Sequence, residues 1–280
     1  MQHFIADDGE CLHVQVSGEG PPVILLHGWT SSHRDWNPFV DVLSADHHVL
    51  RWDARGHATH ALQAATAPTV QRMARDLANL LDHWHLERAV LVGHSMGALT
   101  LWQYLQDFGS DRVAGVVIVD QSPRLVTDAT WRNGIYGDFD TARNAAFIAE
   151  LEADFGEAVL RLTAFGRNGE VRRRYTDQPE SFDNARRWLG RLHHAALIAC
   201  WRTLTAADYR AVLPAIDVPA LLVYGAESNF YSRETAEWVA GAIPDARLTV
   251  YPGADHSPHL HDRARFGADL DDFLARVFSR

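Results

Sequence analysis

Cysteine is almost absent from this chain of 280 residues. Its two cysteines, Cys11 and Cys200, lie far apart and show neither the spacing of a thiolate metal site nor that of a disulfide framework. The 16 histidines come without the helical or carboxylate patterns that accompany metal sites in enzymes. We therefore expect free thiols, no bound metal and no cofactor.

Long apolar runs and an excess of basic residues are also missing. No apolar stretch approaches the length of a membrane span, and residues 1–9 lack the basic and long apolar regions of a secretory signal peptide. The 26 basic residues face 36 acidic ones, and the resulting net charge of −10 disfavours nucleic acid and anionic membranes as partners. We expect a cytoplasmic protein with neither of these partners and without a membrane span.

A glycine motif for binding a dinucleotide is incomplete. Gly18-Glu19-Gly20 lacks the third glycine of that motif. It is followed by Pro21-Pro22 and the apolar run Val23–Leu26, where the motif requires a helix. The sequence therefore disfavours a nicotinamide or flavin dinucleotide as a ligand.

What is present is enough apolar sequence for a large core. A hydrophobic content of 47% over 280 residues suffices for one core, or for a core with an inserted cap. Short extended patterns alternate with helical ones at Val70–Trp84 and Phe266–Val277. This alternation predicts an α/β architecture, a parallel sheet with helices on both faces. The predicted strands are Cys11–Val16, Val23–Leu26, His48–Trp52, Ala89–Val92, Val113–Val119, Ala220–Tyr224 and Arg247–Val250.

Strand patterns stop after residue 122, and helical patterns replace them up to about residue 214. Apolar residues from 148 to 162 predict one amphipathic helix, and those from 188 to 199 predict another. We predict a core of residues 1–122 and 215–280, with a helical cap of residues 123–214 inserted into it. Aromatic residues are frequent in the cap, and we expect some of them to roof an apolar pocket, namely Trp131, Tyr136 and Trp188.

The most informative motif is Gly93-His94-Ser95-Met96-Gly97, which follows the apolar run Ala89–Val92 and opens a helical pattern. It fits Gly-x-Ser-x-Gly, the turn that presents a nucleophilic serine between a strand and a helix. The two glycines permit a turn so tight that Ser95 adopts strained dihedral angles, with its hydroxyl above the sheet edge. Because such a hydroxyl needs a base, and the base an orienting group, the motif predicts a partner histidine and carboxylate.

Three further segments accompany this motif: His27-Gly28-Trp29, Asp53-Ala54-Arg55-Gly56-His57 and the loop around His256. With them the chain resembles the α/β-hydrolase superfamily over essentially its whole length, in a serine esterase or lipase-like branch with a helical cap. The resemblance implies a mostly parallel, eight-stranded sheet with helices on both faces and the cap between the sixth and seventh strands. The chain departs from the family pattern at Ala58 and Asp255, where glycine is common.

The resemblance also implies the catalytic roles. Ser95 is expected to be the nucleophile, and His256 the general base and then the general acid. The oxyanion hole is expected to use the backbone N–H groups of Met96 and Trp29. Gly28 is expected to keep the backbone open at that point and to contact the substrate.

Two positions compete for the acid that orients His256. Many relatives carry aspartate in a Gly-x-x-Asp pattern after the seventh strand, where this chain has Ser228, with Glu227 one residue away. Asp120 ends the sixth strand, where another branch of the superfamily carries its acid. We favour Asp120 and keep Glu227 as the alternative. Asp255 ranks behind both, because the side chain of a direct neighbour of His256 points elsewhere.

These residues predict a serine hydrolase that cleaves a small, mostly apolar ester, thioester or lactone through an acyl-enzyme on Ser95. Other chemistry of the superfamily stays open: cofactor-free dioxygenation, C–C bond hydrolysis, perhydrolysis and cyanohydrin cleavage. A ligand-binding receptor that retains the triad is a third class. The expected partner is a small acyl substrate, and a homodimer is compatible with the sequence.

Overall fold

An eight-stranded sheet forms the centre of the computed structural model, which describes residues 2–60 and 62–279. The strands are β1 (Gln2–Ile5), β2 (Cys11–Ser17), β3 (Pro22–Leu26), β4 (His48–Asp53), β5 (Ala89–His94), β6 (Val113–Val119), β7 (Ala220–Gly225) and β8 (Ala246–Tyr251). Their order across the sheet is β1-β2-β4-β3-β5-β6-β7-β8. β1 and β2 pair antiparallel with their neighbours, and β3 to β8 are parallel. The predicted fold class is therefore confirmed.

The central strands are apolar on both faces, because helices cover the sheet on both sides. Every residue of β5 is buried. In β3, Val23 and Leu25 join the core on one face of the sheet, while Ile24 and Leu26 join the core on the other. Such continuous apolar strands are typical of a doubly covered parallel sheet. β1 escaped prediction because Phe4 is its only buried residue.

The helices follow the strands along the chain. They are α1 (Val40–Leu43), α2 (Val70–His83), α3 (Met96–Phe108), α4 (Thr141–Ala153), α5 (Phe155–Ala164), α6 (Gly169–Asp177), α7 (Asp183–Leu189), α8 (His194–Ala206), α9 (Arg233–Ala242), α10 (Pro258–His261) and α11 (Arg263–Phe278). α2 begins at a threonine cap, in which Thr69 Oγ1 accepts from the Arg72 N–H. The helices predicted at Val70–Trp84 and Phe266–Val277 correspond to α2 and α11.

Five α-helices, α4 to α8, lie between β6 and β7, and the described residues of this segment contain no strand. The prediction of one helix over residues 148–162 is wrong, since α4 ends at Ala153 and α5 begins at Phe155. Asp154 separates them in an extended conformation, and its carboxylate accepts from the Glu157 N–H and caps α5.

The second helix predicted in this segment, over residues 188–199, also proves to be parts of two. It spans the end of α7 and the start of α8, which residues 190–193 separate. α6 was missed because none of its residues is fully buried and it contributes only Val171 and Tyr175 to the apolar pattern. The boundaries of the cap at residues 123 and 214 stay a prediction.

Both cysteines are free, Cys11 half-buried and Cys200 buried. Burial raises the pKa of the Cys200 thiol, and its Sγ lies 3.8 Å from Met96 Sδ inside the core. Among residues 2–60 and 62–279, no helix has the length and apolar character needed to cross a membrane.

Candidate active site

The turn between β5 and α3 holds Ser95 in a strained conformation. Ser95 has φ 51° and ψ −117°, a region that residues other than glycine rarely adopt. A Cβ atom on Gly93 would lie 2.6 Å from the Ala98 nitrogen, and one on Gly97 would lie 2.2 Å from the Leu26 oxygen. Both glycines are therefore required by close backbone approach. The packing forces Ser95 into the elbow conformation that its motif predicts.

Asp120 follows the last residue of β6, also at positive φ (46°), and its carboxylate is fully buried. Three donors surround it. The Gly225 N–H donates to Oδ1 at 3.0 Å, the Ser228 hydroxyl donates to Oδ2 at 2.7 Å, and His256 Nδ1 lies 2.6 Å from Oδ2. A buried carboxylate needs such donors to offset its lost hydration. The structure thus brings Asp120 and His256 together.

The two other carboxylates that the sequence offered do not reach His256. Glu227 is exposed, and the hydrogen bonds recorded for it use its backbone: its N–H donates to Ala254 O and its carbonyl accepts from Asn168. Asp255 accepts from the Ser257 N–H through its carboxylate. Glu227 as the orienting acid is therefore at odds with this geometry. The serine at the family's usual acid position, Ser228, instead donates to Asp120.

His256 is held by both its ring and its backbone. Its N–H donates to Asn229 Oδ1 at 3.2 Å, and its carbonyl accepts from His94 Nε2 at 2.9 Å. Since Nδ1 donates to the carboxylate of Asp120, Nε2 is the free acceptor of the ring. Ser95 and His256 line the same cavity, although the described residues show no hydrogen bond from Ser95 Oγ to the ring. Such catalytic contacts are often long before substrate binds.

The predicted oxyanion hole lies where β3 ends beside the start of α3. Among the described residues, neither the Trp29 N–H nor the Met96 N–H has a protein acceptor. Met96 is also the first residue of a 13-residue helix, whose N-terminus favours negative charge. Both amides are therefore free to bind an anionic oxygen.

The ring of His27 holds the loop that carries Trp29 through hydrogen bonds. His27 Nδ1 lies 2.8 Å from Gly28 O, and the Ala54 N–H donates to His27 Nε2 at 3.0 Å. This pairing requires a neutral ring with its proton on Nδ1, and burial accordingly lowers the pKa of His27. The indole of Trp29 donates to Leu197 O at 3.0 Å, which ties the same loop to α8.

A cavity of about 270 Å³ opens above Ser95. Apolar side chains dominate its lining: Trp29, Met96, Leu99, Leu125, Ile135, Val159, Leu162, Trp201, Leu204, Phe230 and Tyr231. Its polar lining includes Gly28, Gln121, Thr163 and Asn229. The formally charged side chains on its wall are Asp35 and Asp255, and no arginine reaches it among the described residues. The cavity therefore suits a small, mostly apolar ligand without a negative charge.

The three aromatic residues predicted to roof the pocket lie outside this cavity. Trp131 donates to Arg124 O and packs edge-on against Trp238 at 4.8 Å. Tyr136 donates to Leu162 O. Both rings therefore pack against neighbouring residues and do not line the cavity.

Trp188, the third of these residues, donates to Thr30 O at 2.8 Å and connects α7 to the loop that carries Trp29. Trp201 lines the cavity in their place. The sequence did not show that Trp201, among the aromatic residues of this segment, lines the cavity. The helix boundaries were not predicted, and without them the inward face of each helix cannot be assigned. Gln121 and Asn229, also on the wall, were missed. The one signal available for Gln121 was its place directly after a strand-end aspartate.

Burial favours the neutral form of three histidines near the site. Burial lowers the pKa of His57 and of His259 to about 3, and that of His94 well below its usual value. His259 packs its ring 4.9 Å from Trp36 and 4.6 Å from His94. Across residues 2–60 and 62–279, no group of three or more His, Cys, Asp or Glu side chains is placed to hold a metal ion.

Known proteins resemble this chain over nearly its whole length. A pimeloyl-[acyl-carrier protein] methyl ester esterase of Vibrio vulnificus is 27% identical over 95% of this chain and 98% of the relative. A non-heme haloperoxidase of Rhodococcus erythropolis is 26% identical over 98% and 99%. Among solved structures, an esterase of Exiguobacterium antarcticum superimposes with a TM-score of 0.83 at 22% identity, covering 97% of this chain and 98% of its own. The model of the α/β hydrolase fold family matches residues 21–262. The chain belongs to the α/β hydrolase fold family.

Proposed function

We propose that this protein hydrolyses small carboxylic esters through an acyl-enzyme on Ser95. The observation that carries the proposal is the joint presence, in one apolar cavity, of a serine in the strained elbow and a histidine bound to a buried carboxylate. Relatives named as methyl ester esterases, at 25–29% identity, support the same reaction class.

The first half of the reaction acylates the enzyme. Ser95 Oγ attacks the ester carbonyl while His256 Nε2 takes the hydroxyl proton, and the carbonyl oxygen becomes an oxyanion. The Trp29 and Met96 amides bind that oxyanion. His256 then protonates the departing alcohol, which leaves an acyl group on Ser95.

The second half returns the free enzyme. His256 takes a proton from water, the hydroxide attacks the acyl carbonyl, and Ser95 leaves with the proton that His256 returns. Asp120 keeps Nε2 of the histidine available in both halves and stabilises the imidazolium that forms. A thioester or a lactone fits the same sequence of steps with a different leaving group.

The size and lining of the cavity support a small, mostly apolar substrate. A volume of about 270 Å³ suits an acyl and alcohol group of a few carbons each. The carboxylates of Asp35 and Asp255 on the wall oppose an anionic substrate. A neutral ester therefore fits better than a free dicarboxylate.

The direct test is hydrolysis of p-nitrophenyl acetate and butyrate by the wild-type protein and by Ser95→Ala. We expect the substitution to lower kcat by about 10⁶-fold, the order of the loss that follows removal of the serine nucleophile from a serine protease. A fluorophosphonate should label the wild type and not the variant. Equal hydrolysis by both proteins would refute the proposal.

Perhydrolysis is a second candidate, favoured by the relative named as a non-heme haloperoxidase. Hydrogen peroxide in place of water would attack the acyl group on Ser95 and release a peracid, and the peracid oxidises halide in solution. The test is Ser95-dependent bromination of a dye in acetate buffer with peroxide and bromide. Bromination that persists in Ser95→Ala would exclude this route.

A further inference from the structure

Gln121 lies on the wall of the cavity, directly after Asp120, and is 2% exposed. Its side-chain oxygen accepts two hydrogen bonds, from the Ser122 N–H at 2.8 Å and from the Tyr231 hydroxyl. A backbone N–H can only donate, so the oxygen of the amide must face Ser122. The orientation of the amide is thereby fixed, and its NH₂ group must face another direction.

That NH₂ group has no acceptor among the described residues, whereas the other side-chain nitrogen donors on the wall do. The indoles of Trp29 and Trp201 donate to Leu197 O and Asn144 Oδ1, and the Asn229 amide donates to Thr163 O. The rings of His94 and His256 use their N–H groups on His256 O and on Asp120. Gln121 is thus the side-chain nitrogen donor on this wall that the protein leaves without a partner.

We propose that the Gln121 amide is a substrate-specificity group, which donates a hydrogen bond to an uncharged acceptor oxygen that the substrate carries beyond its ester group. The inference rests on the proposed function, since the ligand is the ester that Ser95 cleaves. A buried donor without a partner discriminates strongly against a ligand that leaves it unpaired. A keto, hydroxyl or ether oxygen meets the requirement.

A carboxylate is a poor occupant of this subsite. The charged groups that line the cavity are both acidic, Asp35 and Asp255, and Asp120 directly precedes Gln121. An anionic ligand would therefore lack a cationic partner and meet like charge. The structure points to a neutral, oxygen-bearing ester, such as a methyl ester of an oxo or hydroxy acid.

The test compares methyl hexanoate with methyl 3-oxo-, 4-oxo- and 5-oxohexanoate, four esters of one chain length, in a pH-stat assay. We expect the wild type to favour at least one oxo ester over methyl hexanoate by about 5-fold in kcat/KM, the worth of one neutral hydrogen bond. In Gln121→Met that ratio should be about 5-fold lower than in the wild type. The ratio is the readout because damage to the Asp120–His256 pair lowers the rates for both esters alike.

Two more variants keep the test sharp. Gln103→Met is the matched control, since Gln103 is also buried but bonds to Asp107 and Tyr209 away from the cavity, and its ratio should stay at the wild-type value. Gln121→Glu retains the oxygen that Ser122 and Tyr231 need, and it should lose the preference above the pH at which the new carboxyl ionises. It substitutes for Gln121→Met if that variant does not fold.

Failure of the subsite and failure of the proposed function give different results. Ester hydrolysis that needs Ser95 but shows no oxo preference, or the same preference in Gln121→Met, would overturn the subsite alone. Binding of the same esters to Ser95→Ala, followed by the intrinsic tryptophan fluorescence to which Trp29 and Trp201 of the cavity wall contribute, requires no turnover. An oxo preference in binding without any hydrolysis by the wild type would support the subsite and refute the esterase.

Discussion

The floor and the roof of the cavity are built by different means. The floor, defined by Ser95, Asp120, His256 and the amides of Trp29 and Met96, is held by hydrogen bonds and by strained backbone at strand ends. The roof, defined by the cavity-lining side chains of residues 125–204, is mainly a layer of apolar contacts from helical segments. We therefore propose that the floor determines the reaction, while the roof and the Gln121 wall select the substrate. Substitutions in the floor should cost rate, and those in the roof should shift preference.

After Ser95→Ala, the largest loss of activity from a substitution in the floor should come from Asp120→Asn. The amide keeps the shape of the side chain but no longer stabilises the imidazolium or the required tautomer of His256, so kcat should fall by about 10⁴-fold. Glu227→Gln is the matched control, because Glu227 is exposed and its side chain is away from the cavity. The measurement is kcat for p-nitrophenyl butyrate. A larger loss in Glu227→Gln than in Asp120→Asn would show that the orienting acid has been misassigned.

A smaller loss should follow from Ser228→Ala. This variant removes the hydroxyl that donates to Asp120 Oδ2 and leaves the Gly225 N–H and His256 in place. A hydrogen bond to a charged group contributes about 1.5–3 kcal/mol, so kcat/KM should fall by roughly 10- to 100-fold. Ser228→Thr retains a hydroxyl and should recover part of the activity. An unchanged kcat/KM in Ser228→Ala would mean that two donors suffice to hold the carboxylate.

The floor was largely predictable from the sequence because its geometry is imposed by the main chain. Close backbone contacts require glycine at positions 93 and 97, so the turn can be recognised from these two residues in the sequence. The sequence also favoured Asp120 over Glu227, and the structure pairs Asp120 with His256. Its role as the acid stays a prediction until the variants are measured.

The roof could not be predicted in the same way, because it depends on the rotation of each helix about its axis. The apolar period runs on across Asp154, while its carboxylate ends one helix and caps the next. That break changes which residues of α4 and α5 face inward. Trp131, Tyr136 and Trp188 lie outside the cavity that Trp201 lines. Cytoplasmic location and a homodimer likewise stay predictions, since neither depends on contacts within one chain.

Trp201→Leu should shift preference in the roof. The smaller side chain enlarges the cavity, and each further methylene that it buries contributes about 0.8 kcal/mol. The ratio of kcat/KM for p-nitrophenyl octanoate to that for the butyrate should therefore rise by about 10-fold. Trp131→Leu is the matched control, since Trp131 is buried outside the cavity, and its ratio should stay at the wild-type value. An equal shift in both variants would indicate general loosening of the roof.

The smallest effect concerns the stability of the protein in acid, measured with His259→Phe. Burial lowers the pKa of His259 to about 3, while in the unfolded chain it lies near 6.5. Between these values the unfolded chain binds a proton that the folded one excludes, so the free energy of unfolding falls with decreasing pH by about 1.4 kcal/mol per pH unit. Phenylalanine keeps an aromatic ring among Trp36, Phe39 and Phe266 but cannot bind a proton, so it should reduce the slope between pH 4 and 6 by one proton. Urea unfolding at several pH values measures this slope, and an unchanged slope in His259→Phe would mean that His259 is protonated in the folded protein.

His259 packs against His94, whose Nε2 donates to the carbonyl of His256. Protonation of His259 would therefore place a positive charge beside a residue that positions His256.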